Sequence, residues 1–231
     1  MSPSKDVSLE VFPYLRVYKD GTIERYAGTE VSPRTPAPAA YEDSWASLQW
    51  LVAHVNGGIE EWLEDYADFE RVFLAGDSAG ANIAHQFALR MKDFPNMKRL
   101  QGIAIHPYFW GKEPIGEEAN ESLKKSMVDN WWMFVCPSNK GCDDPYINPF
   151  VKGAPSLKGL ASESVLVFVA EKDILCERGK LYYEKLVKSG WKGKAEIVET
   201  KGEDHVFHIF NPDCENAHLL IKRWAAFING A

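Results

Sequence analysis

With 231 residues, of which 45% are hydrophobic and 26% charged, the chain has the make-up of a globular protein with one sizeable core. A formal charge of −7, a pI near 5.4 and the lack of any Lys/Arg-rich run argue against nucleic acid or an anionic membrane surface as the main partner. The four cysteines, Cys136, Cys142, Cys176 and Cys214, show neither CxxC nor Cys/His ligand spacing, so no metal or redox cofactor is expected and a reducing compartment is.

Residues 1–38 read as an irregular N-terminal segment. They hold no apolar stretch of the ~7–15 residues a secretory signal needs, and no run in the chain approaches the ~18 residues of a membrane span, so a cytoplasmic protein is expected. Residues 11–18 predict a strand, Asp20-Gly21 a turn and residues 23–26 its hairpin mate. Three prolines in residues 32–38 then break regular structure. From residue 39 to about 55 the pattern turns helical, with Trp45, Leu48, Leu51, Val52 and Val55 on one face, and Gly57-Gly58 closes it. A short helix is expected over residues 60–66.

Downstream, short apolar runs at 71–75, 100–105, 165–170 and 195–199 predict buried strands. Helical patterns at 81–92, 177–189 and 217–228 alternate with them. Such alternation predicts an α/β fold, a mostly parallel sheet covered by helices, spanning residues 39–231. Residues 111–157 do not alternate, and their aromatic and proline content predicts a cap-like insertion.

The chemistry is concentrated around Gly76-Asp77-Ser78-Ala79-Gly80, a G-x-S-x-G string between a predicted strand and a predicted helix. A serine on that tight turn is held above the sheet, and glycines two residues either side avoid collisions with neighbouring elements. The first helical amide, that of Ala79, is placed to stabilise an oxyanion. A serine hydroxyl needs a base to attack at neutral pH. Asp173 follows the strand at 165–170 and His205 the strand at 195–199, the order Ser, Asp, His that this fold uses. His208, Asp204 and Glu171 are nearby rivals. His208 is expected to face the core, and Glu171 to point elsewhere because it lies closer to its strand.

The strings FLAGDSAGANIAH, IHPYFWG, DDPYINP, AEKDIL, KSGWKGKAEIVE and GEDHVFHIF resemble the plant carboxylesterases, in the hormone-sensitive-lipase-like branch of the α/β-hydrolases. The likeness runs from Pro38 to the C-terminus, with residues 7–31 similar to the family's N-terminal segment. It implies a serine carboxylesterase of small esters with Ser78, Asp173 and His205 as triad. Related gibberellin receptors lack the histidine, and 2-hydroxyisoflavanone dehydratases can carry threonine at the elbow; here His205 and Ser78 are present. A receptor-like binder and a dehydratase are the alternatives. The apolar segment 127–134, with Met127 and Trp131, is the expected acyl-pocket lining.

One departure stands out. The family's His-Gly-Gly-Gly oxyanion loop should lie between the N-terminal hairpin and the helix at 39, yet no HGG string occurs in the chain. The chain therefore reads as a shortened form lacking several N-terminal strands, with an uncovered edge on the strand that carries Ser78.

Overall fold

The computed structural model describes residues 6–11, 15–20, 22–25, 37–55, 57–93, 99–136 and 138–230; the expected turn residue Gly21 and most of the proline-rich 32–38 lie outside them. The N-terminal part forms an antiparallel sheet of Val7–Val11 (β1), Leu15–Tyr18 (β2) and Ile23–Arg25 (β3). The β2–β3 hairpin is the expected one, with Val17 opposite Ile23. The single strand expected over 11–18 is corrected to two, β1 and β2, paired with each other. Pro13 lies between them in sequence and has no amide to give a ladder.

Helix Ala37–Ala53 (α1) begins slightly before the predicted residue 39 and takes in Pro38. Proline is tolerated there because first-turn amides have no partner inside the helix. Its predicted face is the inward one: Trp45, Leu48 and Val52 are buried, joined by Tyr41. Glu61–Tyr66 (α2) is the short helix expected next.

The main sheet is Phe73–Ser78 (β4), Gly102–Pro107 (β5), Ser164–Ala170 (β6) and Lys194–Thr200 (β7), all parallel and in the order of the chain. Between them run helices Ala79–Arg90 (α3), Ser122–Val135 (α4) and Cys176–Lys188 (α5), and after β7 come Phe207–Phe210 (α6) and Glu215–Asn229 (α7). The two-residue strand period divides the core. Ile103, Ile105, Val165, Val167 and Val169 meet α1, α3 and α5, while Ala104, Leu166 and Phe168 meet α6 and α7 through Phe207, Ala217 and Leu220. Edge-on contact of Trp45 with Phe87, and Arg90 stacked 4.3 Å from the Trp45 ring, join α1 to α3.

Strand β4 differs from its neighbours. All six residues of β5 are buried, whereas none of β4 is, and Ala75 is exposed. Among the described residues β5 is its only partner, so β4 is an open edge, as the sequence predicts.

The stretch between β5 and β6 is the longest connection of the main sheet. It holds α4 and several 3-10 turns around a small core of Trp110, Val128, Trp132 and Ile147. Buried Arg178 on α5 fixes it: Nε and Nη2 donate to the two Glu118 oxygens at 2.6 and 2.7 Å, and Nη2 also donates to the Glu113 carbonyl. A buried bidentate pair of this kind sets register and orientation more than net stability.

Candidate active site

At the end of β4 the backbone turns through Ser78, whose φ of 54° and ψ of −118° lie outside the helical and extended regions. A non-glycine residue at positive φ is strained and persists only where the surroundings enforce it. Here the enforcement comes from strand and helix meeting without a spacer residue. A Cβ placed on Gly76 would lie 2.2 Å from the Gly80 carbonyl carbon, so the chain passes over itself with no room for a side chain. At Gly80 the reading from sequence is corrected. Nothing lies within 4 Å of a Cβ there, and Gly80 supplies the backbone that crowds Gly76 rather than being crowded itself. Gly76→Ala is therefore expected to cost about 3 kcal/mol or more by overpacking. Gly80→Ala, inside the first turn of α3, should be neutral or gain up to ~1 kcal/mol of helix propensity. Urea denaturation of both variants checks the asymmetry.

Asp173 and His205 come from loops that the sheet zips together. Beyond the Ala170–Thr200 pair of the β6–β7 ladder, Glu171 N donates to Thr200 O at 3.0 Å and Lys172 N to Glu203 O at 2.8 Å. The result is a 2.6 Å hydrogen bond from His205 Nδ1 to Asp173 Oδ2. Since a carboxylate only accepts, the proton sits on Nδ1 and Nε2 is left as the basic nitrogen. Asp173 is buried, and the Leu175 amide donates to its other oxygen at 2.8 Å. Val206, the residue after His205, is left-handed at φ 46°, an outlier for a β-branched side chain. Among the described residues no hydrogen bond closes from the Ser78 hydroxyl to His205. Catalytic hydrogen bonds are often open in free enzymes and tighten with substrate.

The rivals have other work. Glu171 accepts from the Gly202 amide and pairs with Lys201 in solvent. Asp204 accepts from the His205 backbone amide at 2.7 Å. His208 turns inward as expected, but its Nε2 donates to Asp77 Oδ2 at 3.1 Å, tying the elbow to the histidine loop.

Sequence reasoning missed His106, which is buried at the end of β5 with Nε2 3.3 Å from Asp173 Oδ2. The signal was there: titratable residues at the C-terminal ends of parallel strands line the site of such folds, and the ladder sets His106 opposite Asp77. Asp77, His106 and His208 bring ligand atoms within 4.8 Å of one another, as do His106, Asp173 and His205. A borderline cation such as zinc accepts such donors. The second set, however, contains the hydrogen-bonded His205–Asp173 pair itself, so a cation bound through Nδ1 there would have to displace the proton between them.

Burial alone would raise the Asp173 carboxyl, but the contacts from His106 and His205 and the Leu175 amide outweigh it and hold it at about 2, below the ordinary 3.8. A depressed folded-state value means stability that is present above pH ~4 and lost as pH falls through the folded value. Asp173→Asn should thus cost most above pH ~4, and the gap in Tm between variant and parent should close as pH falls from about 4 to about 2.

Of the other predicted residues, Ala79 opens α3 at the exposed end of β4, where its amide has no partner within the helix. Met127 and Trp131 lie on α4, Met127 half-exposed and Trp131 partly buried, while the inward positions are Val128 and Trp132. A groove of about 360 Å³ lined by Tyr41, Gln86, Arg90 and Tyr146 lies along the far part of α3 and includes neither Ser78, Asp173 nor His205.

Residues 30–209 match the model of the alpha/beta hydrolase fold, and the chain belongs to that family. It is 57% identical over 200 residues to the Arabidopsis thaliana protein named probable carboxylesterase 2, covering 86% of this chain and 62% of that protein. Likeness to the Glycine max 2-hydroxyisoflavanone dehydratase is 41% over 204 residues, with 85% of this chain and 64% of that one covered. Among solved structures, EstE1, a thermostable carboxylesterase cloned from a metagenomic library, superposes with a TM-score of 0.70 at 25% identity, covering 87% of this chain and 66% of that one. The resemblance to plant carboxylesterases read from the sequence holds. The chain spans less than two thirds of the length of the curated relatives named here. Among the described residues no helix is long and apolar enough to cross a membrane.

Proposed function

We propose that the chain is a serine carboxylesterase of small esters, with Ser78 as nucleophile, His205 as base and Asp173 as the acid that orients it. The single observation that carries this reading is the 2.6 Å His205 Nδ1–Asp173 Oδ2 bond, made by loops at the same sheet edge as a strained serine elbow. In the reaction, His205 Nε2 takes the proton from Ser78 Oγ as the oxygen bonds to the ester carbonyl carbon. The collapsing intermediate expels the alcohol, which leaves with that proton, and water hydrolyses the acyl-serine by the same route. Asp173 stays ionised and stabilises the imidazolium between the two proton transfers. The Ala79 amide donates to the developing oxyanion.

Met127 and Trp131 are proposed to border the acyl pocket. They lie four residues apart on one face of α4 and are not part of its inward core. A cytoplasmic location fits four unpaired cysteines. The 2-hydroxyisoflavanone dehydratase among the relatives supports a second reading, in which the same His/Asp pair moves protons without acylation.

A fluorophosphonate probe separates the two, because only an activated serine is phosphonylated. Stoichiometric labelling of Ser78 at pH 8, located by peptide mass spectrometry, is the expected result. A folded protein that takes up no label would remove the esterase reading.

A further inference from the structure

Resting on the esterase reading above, we infer that His106 is a positioning residue of this site: it holds Asp173 against His205 and couples that pair to the Asp77–His208 bond that pins the serine elbow. Four observations converge on it. The His106 side chain is 2% exposed, and its Nε2 lies 3.3 Å from Asp173 Oδ2, the same oxygen that receives the His205 proton at 2.6 Å. Its ring stands edge-on to His205 with centroids 5.2 Å apart and stacks on His208 at 6.2 Å. The β4–β5 ladder sets it opposite Asp77, one residue from Ser78. Finally, neither of its ring nitrogens makes an aligned hydrogen bond, although both are shut off from water.

A buried imidazole with no partner is costly, and native structures seldom keep one without a use. The nearest acceptor that relieves it is Asp173, a carboxylate held ionised at about 2. Because an ionised carboxylate cannot donate, closing that contact requires the proton on His106 Nε2. The groups facing His106 are Asp77 from β4, Asp173 from the loop after β6, and His205 and His208 from the segment after β7. Two carboxylates and two imidazoles thus surround one buried ring, whose Nε2 faces Asp173 Oδ2 at 3.3 Å.

The chemical consequence concerns how strongly Asp173 pulls on His205. A second donor on Oδ2 spreads the carboxylate charge, keeps the oxygen in place and makes it a weaker partner for the imidazolium. Without His106 the carboxylate would bind the imidazolium more tightly, so protonated His205 would persist to higher pH. The acid limb of the reaction would therefore move upward by roughly half a pH unit or more. The Asp173–His205 pair, no longer fixed from behind, would shift as a unit relative to Ser78 and lower kcat by about 10- to 100-fold. KM should stay the same, since a buried side chain behind the carboxylate does not touch the ester.

The test uses three variants of the full chain. In His106→Gln the side-chain amide reaches the Nε2 position. In His106→Asn the amide reaches only the Nδ1 position, and in His106→Phe the ring carries no donor. The inference expects Gln to keep kcat within a few-fold of the parent, and Asn and Phe to lose it with an unchanged KM and a raised acid limb. NMR of the low-field His205 Nδ1 proton, followed against pH, reports the same coupling without turnover. If Phe fails to melt cooperatively, the Gln and Asn pair decides alone. Equal behaviour of Gln and Asn, or a His205 proton indifferent to both, would overturn the role of His106. Failure of Ser78 to take up the fluorophosphonate, with the His205 proton still responding to His106→Asn, would instead overturn the esterase chemistry and leave the positioning role standing.

Discussion

Ser78→Ala is expected to lower p-nitrophenyl acetate hydrolysis by about 10⁴-fold or more and to eliminate fluorophosphonate labelling, while the far-ultraviolet circular dichroism stays unchanged. The magnitude follows from what the hydroxyl does. Without it no acyl-enzyme forms, and only binding and whatever oxyanion stabilisation the Ala79 amide provides are left, a residue worth ~10³–10⁴ over water in well-built sites. The fold should survive because the elbow is shaped by Gly76 lying against the Gly80 backbone, a contact that the Ser78 side chain takes no part in. Alanine would also keep the strained φ of 54°, since the meeting of β4 and α3 imposes it. Full turnover in the purified variant would mean that the reaction uses another nucleophile. Partial turnover with a changed Tm would mean that the serine is structural.

Strands β5 and β6 were legible because each is a short apolar run whose burial on both faces leaves little ambiguity, as in Val165–Val169 of β6, whereas no residue of β4 or β7 is buried. The meeting of Asp173 with His205 was legible for a related reason: a chain that alternates strand and helix delivers its loops to one edge, so order along the sequence becomes proximity in space. Other features depended on information that a linear pattern does not hold. His106 sits inside the run Ile103-Ala104-Ile105-His106-Pro107, where it reads as part of a strand; only the register opposite Asp77 shows that it reaches the site. Gly80 looked sterically obligatory because the motif is symmetric, yet only Gly76 faces a backbone wall. The only hint in the sequence that residues 11–18 hold two strands is a single proline, Pro13, among β-branched and aromatic residues. Helix α6 is only four residues long, too short to show any period.

Inserting a segment that carries His-Gly-Gly-Gly after Ser32 is expected to raise kcat/KM by about 10²- to 10³-fold, to raise Tm and to reduce light scattering. The catalytic part rests on the donors available. No HGG string occurs in the chain, so the amides that this loop supplies in esterases of the fold are not encoded, and Ala79 is the donor that the elbow itself provides. One lost oxyanion donor costs ~10²–10³ in rate, because charge on the carbonyl oxygen then develops without preorganised dipoles. The structural part rests on β4. Among the described residues the outer edge of β4 has no partner, and that edge, the exposed Ala75, and exposed Trp50 and Trp62 on α1 and α2 leave apolar surface and backbone groups that another chain could take up. Added strands pairing with β4 would satisfy those groups and bury the face that now lacks a neighbour. The two effects are separable: a segment with the glycines replaced by alanines should restore Tm and monodispersity but not rate. If the short chain already equals the extended one in kcat/KM, other amides must serve the oxyanion, and the open edge beside Ser78 would be the place to look for them.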